Sequence, residues 1–187
     1  MTSEKSKEAK ENPPAAKVPA AQPARQGIHT ISVVVSNKPG VLVRVALVFA
    51  KRGFNIDSLV VSPSVDPRFS RMTITAKGDP ATLDQIIKQA SKLIDVIHAG
   101  EHRMENSIEK ELALLKIKCT SHQKPSLNKL LKRFHAHVLD DTNEAVIIEQ
   151  TGSTVQLDEL EELLKKYGII EMVRTGKILM ARGKEAT

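Results

Sequence analysis

The strongest constraint in this 187-residue sequence is an order of hydrophobic periods that occurs twice. Residues 29–36 alternate, with Ile31, Val33 and Val35 on one side and Thr30, Ser32 and Val34 on the other, and read as a strand. Asn37-Lys38-Pro39-Gly40 breaks it. Over 41–52, Leu42, Val45, Ala46 and Phe49 recur at helical spacing until Gly53 stops the helix. Two more β-rich runs, 54–61 and 68–76, flank Ser62-Pro63-Ser64-Val65-Asp66-Pro67, whose prolines suit a connection rather than a ladder. Asp79 as N-cap and Pro80 as first residue open a second helix that turns Leu83, Ile86, Ile87 and Ala90 inward, and 93–98 is again a strand.

After a polar connector near 101–108 the same order returns. Residues 112–119 read as a strand, and Pro125 opens a helix marked by Leu127, Leu130, Leu131 and Phe134. A hairpin of 137–140 and 145–150 turns at Asp141-Thr142-Asn143. Ser153 and Gln156 form a capping box for a helix carrying Leu157, Leu160, Leu163 and Leu164, which Gly168 ends, and 169–174 is the closing strand. Such an order makes a four-stranded antiparallel sheet with both helices on one face. The sequence therefore predicts an α+β chain of two ferredoxin-like βαββαβ units, 28–103 and 108–183, with the apolar stretch 177–181 left over.

Residues 1–27 hold Pro13, Pro14, Pro19 and Pro23 and only Val18 as a sizeable apolar side chain, which predicts a disordered tail. With Glu4, Glu8 and Glu11 and no apolar segment, it fits neither a transit peptide nor a secretory signal. The longest apolar stretch, 41–50, spans ten residues and contains Arg44, whereas a membrane-crossing helix needs about 20. A single cysteine, Cys119, builds no internal disulfide and suits a reducing compartment, so cytoplasm is the expected location.

The net charge of +6 comes from 28 Lys and Arg interleaved with 22 Asp and Glu, and aromatic residues make up 3% of the chain. Spread charge and scarce rings argue against nucleic acid, including the RNA binders that share this topology but stack bases on sheet aromatics. No nucleophile elbow, phosphate loop, metalloprotease helix or dinucleotide fingerprint is present, so no catalytic residue is assigned. His135 and His137 would share a strand face, and His98 and His102 are similarly close, but neither pair has a third ligand in sight, so no metal site is expected. Cys119 reads as a buried, inert thiol.

The first strand–turn–helix junction is the informative place. A helix start leaves backbone N–H groups without partners and carries about half a positive charge, which attracts a carboxylate. Gly40 lets a ligand approach the backbone closely.

The run Asn37-Lys38-Pro39-Gly40-Val41-Leu42, with Arg44-Val45, Phe49, Arg52-Gly53-Phe54-Asn55-Ile56, Ser58-Leu59, Asp66-Pro67 and Ser70-Arg71-Met72-Thr73-Ile74, resembles the ACT domain of acetolactate synthase small subunits. The likeness continues through Lys110-Glu111-Leu112-Ala113-Leu114-Leu115-Lys116-Ile117, Arg174-Thr175-Gly176 and Ala181-Arg182-Gly183. It implies that the first unit is an ACT domain. It also implies a non-catalytic regulatory subunit that activates the catalytic subunit and confers feedback inhibition by a branched-chain amino acid, usually L-valine. Two ACT domains would pair edge to edge as a homodimer with the effector at their seam. Asn37 and the backbone of Lys38, Gly40, Val41 and Leu42 would hold its carboxylate, and Asn55 with Ile56 of the partner protomer its polar groups. Thiamine diphosphate, Mg and FAD would belong to the catalytic partner, with no cofactor in this chain. Lys38-Pro39 stands where many members place an acidic residue and a Ser, which removes a backbone donor at Pro39 and makes the turn more positive. The alternative is a free-standing ACT-type amino-acid sensor that controls another enzyme or transcription.

Overall fold

Alternation in β1 (Ile28–Ser36) sends Ile31, Val33 and Val35 into a core where each is at most 1% exposed. The computed structural model describes residues 27–103 and 105–184. Residues 1–26, nearly all of the expected tail, lie outside the described residues. The first unit continues with α1 (Val41–Ala50), β2 (Ile56–Pro63), β3 (Phe69–Lys77), α2 (Pro80–Ala90) and β4 (Val96–His102). Its sheet has the order β2-β3-β1-β4 and is antiparallel throughout. Val41, Val45 and Phe49 of α1 and Leu83 and Ile86 of α2 close the core on one face.

The second unit is β5 (Ser107–Lys118), α3 (Lys124–Phe134), β6 (His137–Asp141), β7 (Ala145–Gly152), α4 (Thr154–Leu164) and β8 (Ile169–Arg174), followed by β9 (Ile178–Ala181). Strand order β6-β7-β5-β8 repeats the first topology. Ala113, Leu115 and Ile117 of β5 meet Leu127 and Leu131 of α3 and Leu157, Leu160 and Leu164 of α4. The capping box forms as its sequence predicts: Ser153 Oγ accepts from Gln156 N and Gln156 Oε1 accepts from Ser153 N at 2.9 Å. Glu111, 5% exposed, accepts from Arg174 Nη2 at 2.6 Å and from the Thr154 hydroxyl, while Arg174 Nη1 donates to Asp158 at 2.7 Å. Burial works against the Arg174 charge, but Asp158 and Glu111 hold its pKa above the ordinary arginine value.

Four local expectations are corrected. Phe54 is not in a strand: its N–H donates to the Phe49 carbonyl and its ring fills the space where Gly78 lacks a Cβ, so β2 starts two residues later. Leu93 packs on the core from a turn after α2, and β4 runs on through His102 while β5 starts at Ser107, so both ends of the expected 101–108 connector are strand. β5 starts at Ser107 because the leftover stretch 177–181 supplies its partner, β9 pairing Ser107↔Ala181 through Lys110↔Ile178. His135 is not on a strand face with His137: it is the left-handed cap of α3, with φ 55°.

The β5–β9 ribbon covers the helix-free face of the first sheet. Thr30, Ser32, Thr73 and Thr75 on that face are at most 5% exposed, and Leu179 of β9 is 6% exposed. At this seam Lys177 Nζ donates to Glu109 Oε2 at 2.6 Å and lies 3.4 Å from Thr30 Oγ1. Small hydroxyl side chains allow the close approach that larger residues would block.

Candidate functional site

The turn from β1 into α1 is held by contacts outside itself. Asn37 N donates to the Arg68 carbonyl at 2.7 Å and Asn37 Nδ2 to the Pro67 carbonyl at 3.0 Å, which fixes the turn against the β2–β3 connection. The Asn37 amide nitrogen therefore has a positioning role. Gly40, the N-cap residue, adopts φ 81°, a left-handed conformation that L side chains rarely take. It offers no side-chain cap, and α1 has no acidic residue in its first turn. The N–H groups of Leu42 and Val43 consequently find no partner among the described residues. These are the donors that a carboxylate would take.

Arg44 adds charge to this start. It is the one charged residue of α1, and its Nη2 donates to Asp95 Oδ2 at 2.6 Å. Asp95 is in turn fixed where its carbonyl accepts from Ser36 N at 2.8 Å. Arg44 stands out in the sequence as the charge within an otherwise apolar stretch. Asp95, 51 positions away, gives no local signal.

Asn37, Lys38, Gly40, Val41 and Leu42 therefore come together, with Lys38 and Gly40 exposed, Val41 buried and Leu42 41% exposed. Asn55 and Ile56 do not join them within one chain. They stand past the far end of α1, about 15 Å away along ten helical residues. Ile56 begins β2, one of the two edge strands of the sheet, whose outer edge carries no strand partner among the described residues. On α1 itself, Leu42, Val43 and Leu47 are 41–60% exposed, an apolar outer face on a helix whose inner face is also apolar.

The remaining candidates carry no chemistry of this kind. Cys119 is fully buried, and burial raises its thiol pKa against the opposing effect of Lys124. His102 Nε2 lies 2.6 Å from Ser32 Oγ. Burial chiefly, then electrostatic interaction with His98 and Arg71, lowers its pKa against the pull of Glu109. Among the described residues no group of three or more His, Cys, Asp or Glu could hold a metal ion, and no helix is long and apolar enough to cross a membrane.

Residues 31–98 match the family model described as AHAS small subunit-like ACT domain, and residues 110–183 match that described as small subunit of acetolactate synthase. A probable acetolactate synthase small subunit of Archaeoglobus fulgidus is 42% identical over 157 residues, 84% of this chain and 98% of that protein. This chain belongs to the acetolactate synthase small-subunit family. The small subunit of Mycolicibacterium smegmatis is 41% identical over 155 residues, 83% of this chain and 91% of its own. The crystal structure of the Thermotoga maritima acetolactate synthase small subunit superposes with a TM-score of 0.77 at 38% identity, covering 84% of this chain and 99% of that one. Both units of this small-subunit family member are thus accounted for, including the part of the chain that contains β9.

Proposed function

We propose that this chain is the regulatory subunit of an acetolactate synthase, which activates the catalytic subunit and makes it sensitive to inhibition by a branched-chain amino acid, L-valine. The observation that carries this reading is the start of α1 behind a left-handed Gly40, where the Leu42 and Val43 N–H groups have no partner among the described residues. A carboxylate there gains about 0.3–1 kcal/mol from the helix dipole alone, and hydrogen bonds to charged groups add to it.

The second half of the site comes from a second protomer. The open edge of β2 and the exposed Leu42, Val43 and Leu47 favour edge-to-edge pairing of two first units, which carries Asn55 and Ile56 across the seam to the partner's α1. The Asn55 amide and nearby carbonyls accept from the effector ammonium, and Leu42 and Ile56 receive its branched side chain. Regulation follows from differential affinity: valine shifts the catalytic subunit by as much as it discriminates between protomer arrangements. The chain itself catalyses nothing in this reading. Thiamine diphosphate, Mg and FAD stay with the catalytic partner, and the complex works in the cytoplasm. The family match over 110–183 supports this reading over a free-standing ACT-type sensor, which would need no such second unit.

The test is to mix the chain with the catalytic subunit, measure acetolactate formation and titrate valine. Activity rises on mixing and falls with valine. An unchanged rate on mixing contradicts activation, and a rate indifferent to valine contradicts sensing.

A further inference from the structure

The two large apolar side chains that stand furthest into solvent among the described residues are Val65, fully exposed, and Ile94, 95% exposed. They come from different loops, Val65 from the β2–β3 connection and Ile94 from the turn between α2 and β4. Both loops lie at one end of the first sheet. There Ser36 of β1 stands opposite Phe69, the first residue of β3, and Val35 opposite Val96, the first residue of β4. Because β1 runs between β3 and β4, the α1 junction leaves the sheet between the two loops. Scattered single apolar residues on a surface need no explanation. Two at one end, on either side of the turn that carries the proposed effector site, do.

Both loops are fixed. Asp66 accepts from Arg68 N and Nε at 3.0 Å and from Arg68 Nη2 at 2.6 Å, and Ser64 N donates to the Phe69 carbonyl at 2.9 Å. In the other loop Val96 N donates to the Leu93 carbonyl at 3.0 Å. Each loop is also tied to the junction, one through the Pro67 and Arg68 carbonyls that Asn37 binds, the other through the Asp95 carbonyl that accepts from Ser36 N. Such pre-ordering lowers the entropy lost when a partner covers the side chains.

The charges at this end say what the partner carries. Arg68 pairs with Asp66, and Arg44 with Asp95. Lys38 and Lys92, both exposed, make no ion pair among the described residues, and the turn and the two loops hold no further acidic residue. A second copy docking through the same face would set these lysines against their own kind, which costs affinity. The pairing of two first units proposed above uses the long edge of β2, not the end of the sheet.

We propose that this end of the first unit is the surface that docks on the acetolactate synthase catalytic subunit, on a patch with apolar recesses for Val65 and Ile94 and carboxylates facing Lys38 and Lys92. The inference rests on the regulatory reading and deepens it. The partner covers the two loops that fix the effector turn, so a change made there by valine reaches the contact through Asn37 and Asp95. Linkage makes the effect reciprocal, and the bound catalytic subunit alters valine affinity by the same factor.

The test uses the full chain and the catalytic subunit. The chain concentration giving half-maximal activation of acetolactate formation is measured for the natural chain, Val65→Ser, Ile94→Ser and the double variant. Each single variant raises it about tenfold, the loss of one buried aliphatic side chain. The double variant raises it further, and the maximal rate at saturation is retained. Both side chains are exposed, so urea midpoints stay those of the natural chain. Val173→Ser, at a side chain 56% exposed on β8 of the second unit, is the control and leaves the concentration unchanged. A natural chain that activates, with Val65→Ser and Ile94→Ser equally potent, overturns the docking surface alone, as does an equal loss in Val173→Ser. Variants that sediment as a smaller assembly at unchanged potency assign the face to a second copy and overturn it too. A natural chain that gives no activation overturns the regulatory reading and the docking surface together.

Discussion

Arg44 Nη2 lies 2.6 Å from Asp95 Oδ2, a bond that joins the first turn of α1 to the loop entering β4. Asp95 is the more buried partner, with its side chain 13% exposed against 46% for Arg44. The pair holds a guanidinium beside Gly40, since a Cβ at that glycine would lie 3.4 Å from Arg44 Nη1. Arg44→Gln removes this charge from the carboxylate end of the proposed effector site. The valine concentration giving half inhibition rises by about tenfold, equivalent to roughly 1.4 kcal/mol, while activation of the catalytic subunit is retained. Enzyme assays of the mixed subunits across a valine titration separate the two effects.

Gly176 sits against Ser58 of β2 so closely that a Cβ there would be 2.5 Å from Ser58 Cβ, and its φ of 81° already disfavours any side chain. Gly176→Ala therefore pushes the ribbon off the first sheet and costs about 1–3 kcal/mol by overpacking. Ser58→Gly in the same chain removes the atoms it strikes and recovers part of that loss, leaving the backbone strain. Urea unfolding of the two single variants and the double variant measures the coupling. Strict additivity would show that the contact does not carry strain.

His102 is held neutral against Ser32 within the same seam, with its pKa below the ordinary 6.5. The unfolded chain then binds a proton that the folded chain resists, so stability is fully present above pH 6.5 and declines as pH falls toward the lowered folded value. The slope is that of at most one proton per chain. His102→Gln flattens this part of the profile, and urea midpoints measured across it provide the check. An identical decline in the variant would assign the proton to another group.

What was legible in the sequence follows from how local each signal is. Gly40, the Asp79 and Ser153 caps and the leucine spacing of α3 and α4 act within a few residues, and the structure shows them where periodicity places them. The first half of β5 was not legible because Ser-Ile-Glu-Lys offers one apolar side chain, and its strand character comes from β9, some 70 positions on. The alternation of His135, Ala136 and His137 imitates a strand start, but the residue after Phe134 must turn left-handed for α3 to end there. Within the candidate site, the turn and its unpaired N–H groups could be anticipated. The long-range contacts that hold it, Asn37 to Pro67 and Arg44 to Asp95, could not.

The most direct measurement of the regulatory account is a calorimetric valine titration of the isolated chain, beside Gly40→Asp. The new carboxylate would occupy the free helix start and pair with Arg44, displacing the effector's own. The account predicts saturable valine binding to the natural chain, with heat that disappears in Gly40→Asp while the variant still activates the catalytic subunit. Valine binding of equal strength in both proteins would contradict it.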